Sequence, residues 1–283
     1  MTWREVISKG KEYLRQKGVP DADSAAECLA ARLLACGRGF LVDSAEKEVS
    51  EGQLAAMRRG MKRLIAGEPL QYILAEWDFR TLTLKCDRRA LIPRPETEEL
   101  VTRVLKFLNG RENPVVVDVG TGTGAIILSI AKEFPGKGIF IGTDVSPEAI
   151  ALAKENAELC GLTDRVVLEQ ADGLDEFDEP EMFDVIVSNP PYIPTAVCET
   201  LDPRVKNFEP RLALDGGAEG LDFYNRYLDD AMNLLKPNGS VFFEIGDGQG
   251  AALAARMREY GFTDIRIEKD YSGLERYASA LLK

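Results

Sequence analysis

Val115-Val116-Val117-Asp118-Val119 runs directly into Gly120-Thr121-Gly122-Thr123-Gly124, and the reading of this ten-residue stretch decides the fold. Four valines in five residues predict a strand buried on both faces, as parallel sheets place them. Three glycines at alternate positions predict a tight turn at that strand's carboxyl end, and Ile126, Leu128 and Ala131 predict a helix after it. Strand, glycine turn and helix N-terminus in that order let a ligand approach the backbone and let the helix meet an anionic group.

The same alternation continues outward. Gly138-Ile139-Phe140-Ile141-Gly142-Thr143-Asp144 reads as a second strand closed by an acid, and Arg165-Val166-Val167-Leu168-Glu169 as a third, followed by Gln170-Ala171-Asp172-Gly173-Leu174. Phe183-Asp184-Val185-Ile186-Val187-Ser188 is a fourth and Ser240-Val241-Phe242-Phe243-Glu244-Ile245 a fifth. Residues 262–267 and 275–282 make a terminal pair, one of them antiparallel. Strands alternating with helical segments predict an α/β fold built on a doubly wound parallel sheet.

The glycine turn by itself leaves the ligand open. Gly120, Gly122 and Ala125 fit G-x-G-x-x-G/A, and Asp144 lies twenty residues past Gly124, the spacing of a dinucleotide site. A carboxylate at Asp144 can accept both hydroxyls of a ribose. Asp172 can meet an adenine NH2 or be a solvated turn residue. The turn therefore specifies a nucleoside cofactor with a charged tail and no more.

The fourth strand separates the readings. It ends in Asn189-Pro190-Pro191-Tyr192, at a sheet edge where open α/β folds bind ligands. Two prolines remove two N–H groups and stiffen the turn, so the carbonyls of Asn189 and Pro190 are left as acceptors. The Asn189 side chain adds another, and Tyr192 offers a flat face. Paired acceptors suit an NH2 group about to receive a methyl; hydride transfer has no evident use for them. A rigid loop with a solvated asparagine is the plainer alternative.

Length and composition bound the rest. The 283 residues suit two unequal domains. No apolar run approaches the roughly 20 residues that span a bilayer, and the N-terminus carries no signal-like apolar stretch, so a cytoplasmic protein is expected. Five scattered cysteines and no histidine disfavour a zinc site or a Ser-His or Cys-His nucleophile. The formal charge of −12 speaks against a broad phosphate-backbone footprint.

Residues 1–75 read as a helical domain with no catalytic pattern: a first helix ended by Gly18-Val19-Pro20, a second over 25–35 capped by Asp21 or Asp23, and a third opened by a Ser50/Gln53 capping box. Residues 76–92 alternate as a β-hairpin linker, and 93–283 form the catalytic domain. Arg94, held between Pro93 and Pro95, has a fixed guanidinium direction. Residues 195–221 read as a long excursion, either a loop closing over substrate or a surface loop.

Taken together, these stretches resemble the HemK/PrmC family, methyltransferases that modify the glutamine side-chain amide in the Gly-Gly-Gln motif of peptide chain release factors. The residues that carry the resemblance are 67–73 with Trp77-Asp78-Phe79, Ile92-Pro93-Arg94-Pro95-Glu96-Thr97-Glu98, the 118–124 turn, Ser188 to Pro194, Glu209-Pro210-Arg211-Leu212-Ala213-Leu214 and Glu244-Ile245-Gly246. Ala75, where glycine is expected, and the looser Glu275-Arg276-Tyr277-Ala278 depart from it.

The resemblance implies a Rossmann-like class I S-adenosylmethionine-dependent methyltransferase domain behind a substrate-docking helical domain. It implies that Gly120, Thr121, Gly122, Thr123 and Gly124 hold the methionine moiety, Asp144 the ribose, and Asp172 with Gly173 the adenine. Asn189, also beside the cofactor, and the Pro190 carbonyl would hold the target amide, Tyr192 would stack on it, and Pro191 and Arg94 would complete the substrate site. Release factors are the implied partners, with no membrane and no direct nucleic-acid binding. A DNA or RNA amino-methyltransferase shares the Asn-Pro-Pro-Tyr motif and is the second reading; a nicotinamide oxidoreductase or a non-catalytic nucleoside-binding module is the third.

Overall fold

The computed structural model describes all residues, 1–283, and divides into two compact units. The first comprises residues 1–76 and 202–208. Its helices are α1 (Trp3–Gln16), α2 (Ala22–Leu33), α3 (Glu51–Ile65) and α4 (Leu70–Leu74), and the 202–208 segment adds the short helix Pro203–Lys206. Capping boxes open both α1 (Thr2 with Glu5) and α3 (Ser50 with Gln53), each satisfying two otherwise unpaired backbone groups. The second helix starts earlier than its sequence predicts. Asp21 precedes it in the left-handed region, so its carboxylate makes no capping bond, and Ala22 begins the helix. Trp3, Leu14, Ala26 and Met57 are wholly buried between α1, α2 and α3. Gly60 lets α3 lie close to α2, since a Cβ there would stand 2.8 Å from Leu29.

The second unit, 77–201 with 209–283, begins with the hairpin of β1 (Glu76–Phe79) and β2 (Leu82–Lys85). Expected as a linker, the hairpin is packed: Phe79, Leu82 and Leu84 lie in the same buried cluster as Leu100, Ile127 and Phe140. Alternation alone could not distinguish a free ribbon from one whose apolar face has found a core.

The sheet follows. Its elements in chain order are α5 (Pro95–Leu108), β3 (Val115–Val119), α6 (Ala125–Glu133), β4 (Ile139–Asp144), α7 (Pro147–Leu159), β5 (Val166–Gln170) and β6 (Phe183–Ser188). Then come α8 (Asp222–Leu234), β7 (Leu235–Glu244), α9 (Gly250–Glu259), β8 (Thr263–Lys269) and β9 (Glu275–Leu281). Seven strands lie in the order β5-β4-β3-β6-β7-β9-β8. The first five are parallel, and β9 runs antiparallel to both its neighbours. Chain order reverses between β3 and β6, which opens a crevice at their carboxyl ends. This is the Rossmann-like layout that the β/α alternation predicts.

Buried hydroxyls tie the strand ends together. Ser188 Oγ donates to the Val119 carbonyl at 2.6 Å, and Thr143 Oγ1 to the Gly173 carbonyl at 3.1 Å. The 195–221 excursion is ordered rather than loose: it carries the short helix Thr195–Cys198 and a 3-10 turn (Arg211–Ala213), and Ile193 bridges to Asp215. No helix is long and apolar enough to cross a membrane.

Candidate active site

The crevice at the carboxyl ends of β3, β4 and β6 is an open-mouthed cleft. Gly120, Thr121, Gly122 and Thr123 form one wall, Asp144, Asp172 and Gly173 a second, and Asn189 and Pro191 a third, with Arg94, Pro210 and Leu212 beside them. Residues scattered over more than a hundred positions in sequence therefore line one cavity. Gly124 sits just behind it as the residue that precedes α6.

The glycine turn is braced from below. Gly120, Gly122 and Gly124 all adopt positive φ, at 73°, 57° and 81°. Thr121 N–H donates to the Thr143 carbonyl at 2.8 Å and its hydroxyl to Asp118 Oδ2 at 2.6 Å. Asp118 is wholly buried, and its Oδ1 has no partner. Burial pushes its carboxyl up to about 7, against the pull of the Thr121 bond. Asp118 thus lies under the turn rather than in the cleft. Asn156, also buried, staples the turn to the hairpin: it accepts from Lys85 N–H at 2.7 Å and donates to the Thr123 carbonyl at 2.9 Å.

Asp144 is held by two backbone amides, Gly122 N–H on Oδ2 and Ser146 N–H on Oδ1, both at 2.9 Å. Burial raises its pKa while those two bonds oppose the rise. Each oxygen keeps a lone pair for a ligand hydroxyl. Asp172 is exposed and paired: Arg226, on α8, donates to its carboxylate at 2.6 Å and to its carbonyl at 2.5 Å, and also meets Asp175. Nothing in the sequence around Asp172 announces that arginine, which lies 54 residues away.

The Asn-Pro-Pro-Tyr turn divides its residues between cleft and core. Asn189 and Pro191 line the cleft; Pro190 is buried, and no backbone N–H reaches the carbonyl of either Asn189 or Pro190. Tyr192 is partly buried against the cluster that contains Ile245 and Phe243, outside the cleft lining. Its carbonyl accepts from Gln249 Nε2 at 3.0 Å, and burial pushes its phenol up to about 12. The ring's expected stacking face is therefore largely spent on packing.

Arg94 precedes α5, with Pro95 as the helix's first residue. Its guanidinium meets Glu209 at 2.5 Å, while the same buried carboxylate accepts from Ile92 N–H at 3.3 Å. The clamp is thus a buried acid as well as two prolines. Two further residues escape a reading by spacing. Thr97, in the first turn of α5, accepts from Asn189 Nδ2 at 3.2 Å and donates to Glu244 Oε2 at 2.6 Å. Each lies in a stretch that carries the family resemblance, but apart from an acid ending an otherwise apolar strand nothing in the sequence marks them as a pair.

S-adenosylmethionine can be tested against these walls. A Cβ on Gly120 would meet nothing within 4 Å and one on Gly122 only Ala90 at 3.7 Å, so the turn leaves room at the backbone. Asp144, on the neighbouring strand, presents a carboxylate held by the turn's own Gly122 N–H and lining the same cleft. The residues fit the cofactor.

Fold and site together define a class I S-adenosylmethionine-dependent methyltransferase. Residues 5–74 match the PrmC N-terminal domain family and residues 111–263 the methyltransferase domain family. Among solved structures, the hMettl16 catalytic domain in complex with the MAT2A 3′UTR hairpin 6 superposes with a TM-score of 0.57 at 19% identity, covering 77% of this chain and 81% of that one. A methyltransferase from Pyrococcus furiosus gives 0.51 at 21% identity, covering 71% and 88%. These likenesses show the fold. Release factor glutamine methyltransferases of Geobacter sulfurreducens and Moorella thermoacetica are each 38% identical, the first covering 97% of this chain and 95% of its own, the second 98% and 97%. The chain belongs to the release factor glutamine methyltransferase family.

Proposed function

We propose that this enzyme transfers a methyl group to the side-chain amide nitrogen of the glutamine in the Gly-Gly-Gln motif of peptide chain release factors, acting in the cytoplasm and tuning translation termination. The observation that carries this reading is the Asn189-Pro190 turn: two backbone carbonyls without donors, beside an asparagine whose NH2 end is already engaged by Thr97. An amide substrate has two N–H bonds to give, and Asn189 Oδ1 and the Pro190 carbonyl are the acceptors assigned to them.

An amide nitrogen is a poor nucleophile because its lone pair is delocalised into the carbonyl. Acceptors on both N–H bonds raise electron density at nitrogen and turn the lone pair toward the incoming methyl. When bound, S-adenosylmethionine supplies an electrophilic methyl on sulfur: the N–C bond forms as the C–S bond breaks, and S-adenosylhomocysteine leaves. The chain's residues hold and align. The 120–124 turn is assigned the methionine end, Asp144 the ribose, and Asp172 with Gly173 the adenine edge. Tyr192, expected to stack on the amide, is assigned to bracing the acceptor turn from the core side, with Pro191 and Arg94 lining the substrate side. Alignment of this kind contributes on the order of 7–11 kcal/mol. Acceptors fixed in advance stabilise positive charge as it develops on nitrogen, and the amide proton then passes to water.

The N-terminal helical domain, residues 1–75, is assigned the docking of the release factor. Asn189→Ala tests the site: methyl transfer is expected to fall by roughly 10²–10³-fold while S-adenosylmethionine affinity, measured by calorimetry, stays within about threefold. Parallel loss of transfer and cofactor binding would contradict the assignment.

A further inference from the structure

We propose that Thr97 and Glu244 are positioning residues that set which end of the Asn189 side-chain amide faces the substrate. The inference rests on the reading of Asn189 as an acceptor for the substrate amide. Three elements converge here: the first turn of α5, the end of β6 and the end of β7. Thr97 is buried, and Glu244 is 2% exposed. Thr97 Oγ1 stands 2.6 Å from Glu244 Oε2 and 3.2 Å from Asn189 Nδ2.

The hydroxyl of Thr97 has one hydrogen to give. An ionised Glu244 has none, so the hydrogen must point to Glu244. Thr97 then shows Asn189 only lone pairs, and only the NH2 end of the amide can meet them. Asn189 Oδ1 is left to face the cleft. A protonated Glu244 removes the constraint: the carboxylic acid donates to Thr97, whose own hydrogen swings to Asn189 and is met by the amide oxygen. Asn189 would then present NH2 to the substrate's NH2, donor against donor. The direction of one buried hydroxyl thus decides whether the site holds an acceptor.

Glu244 has no other evident use for its charge. Burying a carboxylate is costly unless it is paired, and here its side chain makes one hydrogen bond. The charged and titratable groups around it are Arg276 and Tyr277 of β9, the latter its register partner, Glu96 and Arg94 at the start of α5, Tyr192 of the acceptor turn and Tyr224 of α8. Tyr224 uses its hydroxyl on the Glu244 backbone carbonyl at 2.8 Å, not on the carboxylate. Burial pushes the Glu244 carboxyl up to about 7, with Thr97, Arg276 and Arg94 pulling it down and Glu96 pushing it up. The orientation therefore changes within the range of an ordinary pH profile.

The test is steady-state transfer from saturating S-adenosylmethionine to a purified release factor between about pH 5.5 and 9. The wild type, Thr97→Ser, Thr97→Val, Glu244→Gln and Asn189→Ala are compared, each also assayed for cofactor affinity and melting temperature. Wild-type kcat is expected to rise with pH along a limb centred at about 7, and Glu244→Gln to be slower and to lack that limb. Thr97→Val is expected to lose roughly 30- to 100-fold in kcat with KM and cofactor affinity unchanged, and Thr97→Ser to recover to within about threefold of wild type. A purely structural staple would lower the melting temperature and leave the pH profile alone.

A folded Thr97→Val with wild-type kcat, a Thr97→Ser no better than Thr97→Val, or a Glu244→Gln that keeps the acidic limb would each overturn the proposal. Should Thr97→Val fail to fold, the limb in Glu244→Gln decides. An active Asn189→Ala would remove the reading of the site and this inference with it; an inactive Asn189→Ala beside an active Thr97→Val would remove the inference alone.

Discussion

Asp118, near the end of β3, and Glu244, at the end of β7, are carboxyls taken out of water, and burial pushes each up to about 7. A folded pKa raised above an unfolded value near 4 gives stability that is complete at low pH and is lost as pH rises through about 7. Asp118→Asn keeps an oxygen for the Thr121 hydroxyl and has no charge to bury. We predict that its stability gain over the wild type, from urea unfolding without cofactor, grows from about pH 4 and levels above about pH 7, approaching roughly 4 kcal/mol at most. A gain independent of pH would contradict the assignment of the shift to Asp118. At this scale, Asn189 is legible because its neighbours in sequence make it so: an apolar strand before it and two prolines after it. Thr97 and Glu244 are not, since their bond spans 147 residues and neither sits in a pattern that spacing could detect. The same holds for Arg226 on Asp172, whereas Tyr192 shows the opposite failure. Its position was legible but its ring had two candidate environments, and the core claimed most of it.

Among the elements, the acceptor turn depends on the excursion that follows it. Ile193 N–H bonds the Leu214 carbonyl at 3.0 Å, Gly216 N–H bonds the Ile193 carbonyl at 2.8 Å, and Thr195 N–H bonds the Gly217 carbonyl at 2.9 Å. Gly220 closes this arrangement at φ 74°, where a Cβ would stand 2.2 Å from the Tyr192 carbonyl oxygen and 2.7 Å from Gln249 Nε2. Since the first obstacle is backbone, it cannot rotate aside. Gly220→Ala is expected to destabilise the protein by on the order of 1–3 kcal/mol and to reduce turnover more than cofactor affinity. Unfolding midpoints and kcat at saturating cofactor measure both; wild-type values for both would show that the excursion does not support the turn. The sequence marks this stretch only as long and rich in proline and glycine, which fits a mobile loop as well as a pinned one. The hairpin is a similar case. Its period is plain in Trp77 to Leu84, but its attachment is set by Asn156, 71 residues downstream of Lys85.

For the molecule as a whole, the parallel sheet is the most legible feature, because strand, glycine turn and helix repeat at short range and each is fixed by local composition. Strand order is legible only through the rule that ligands gather where it reverses, and the two motifs at the ends of β3 and β6 meet that rule. The glycine turn alone fits a dinucleotide as well as S-adenosylmethionine; the acceptor turn separates them. The formal charge of −12 bears on the remaining choice between protein and nucleic acid. A nucleic-acid enzyme making 6–10 phosphate contacts would lose about 10³–10⁵ in affinity between about 50 and 200 mM salt. Transfer to a release factor is expected to change by less than about tenfold over the same range. The most direct measurement of the central claim is transfer of labelled methyl from S-adenosylmethionine to a purified release factor. It is run beside a variant whose Gly-Gly-Gln glutamine is alanine, with DNA and RNA as parallel acceptors. Label on the unaltered release factor alone is the result predicted here. Label on nucleic acid, or equally on both release factors, would contradict it.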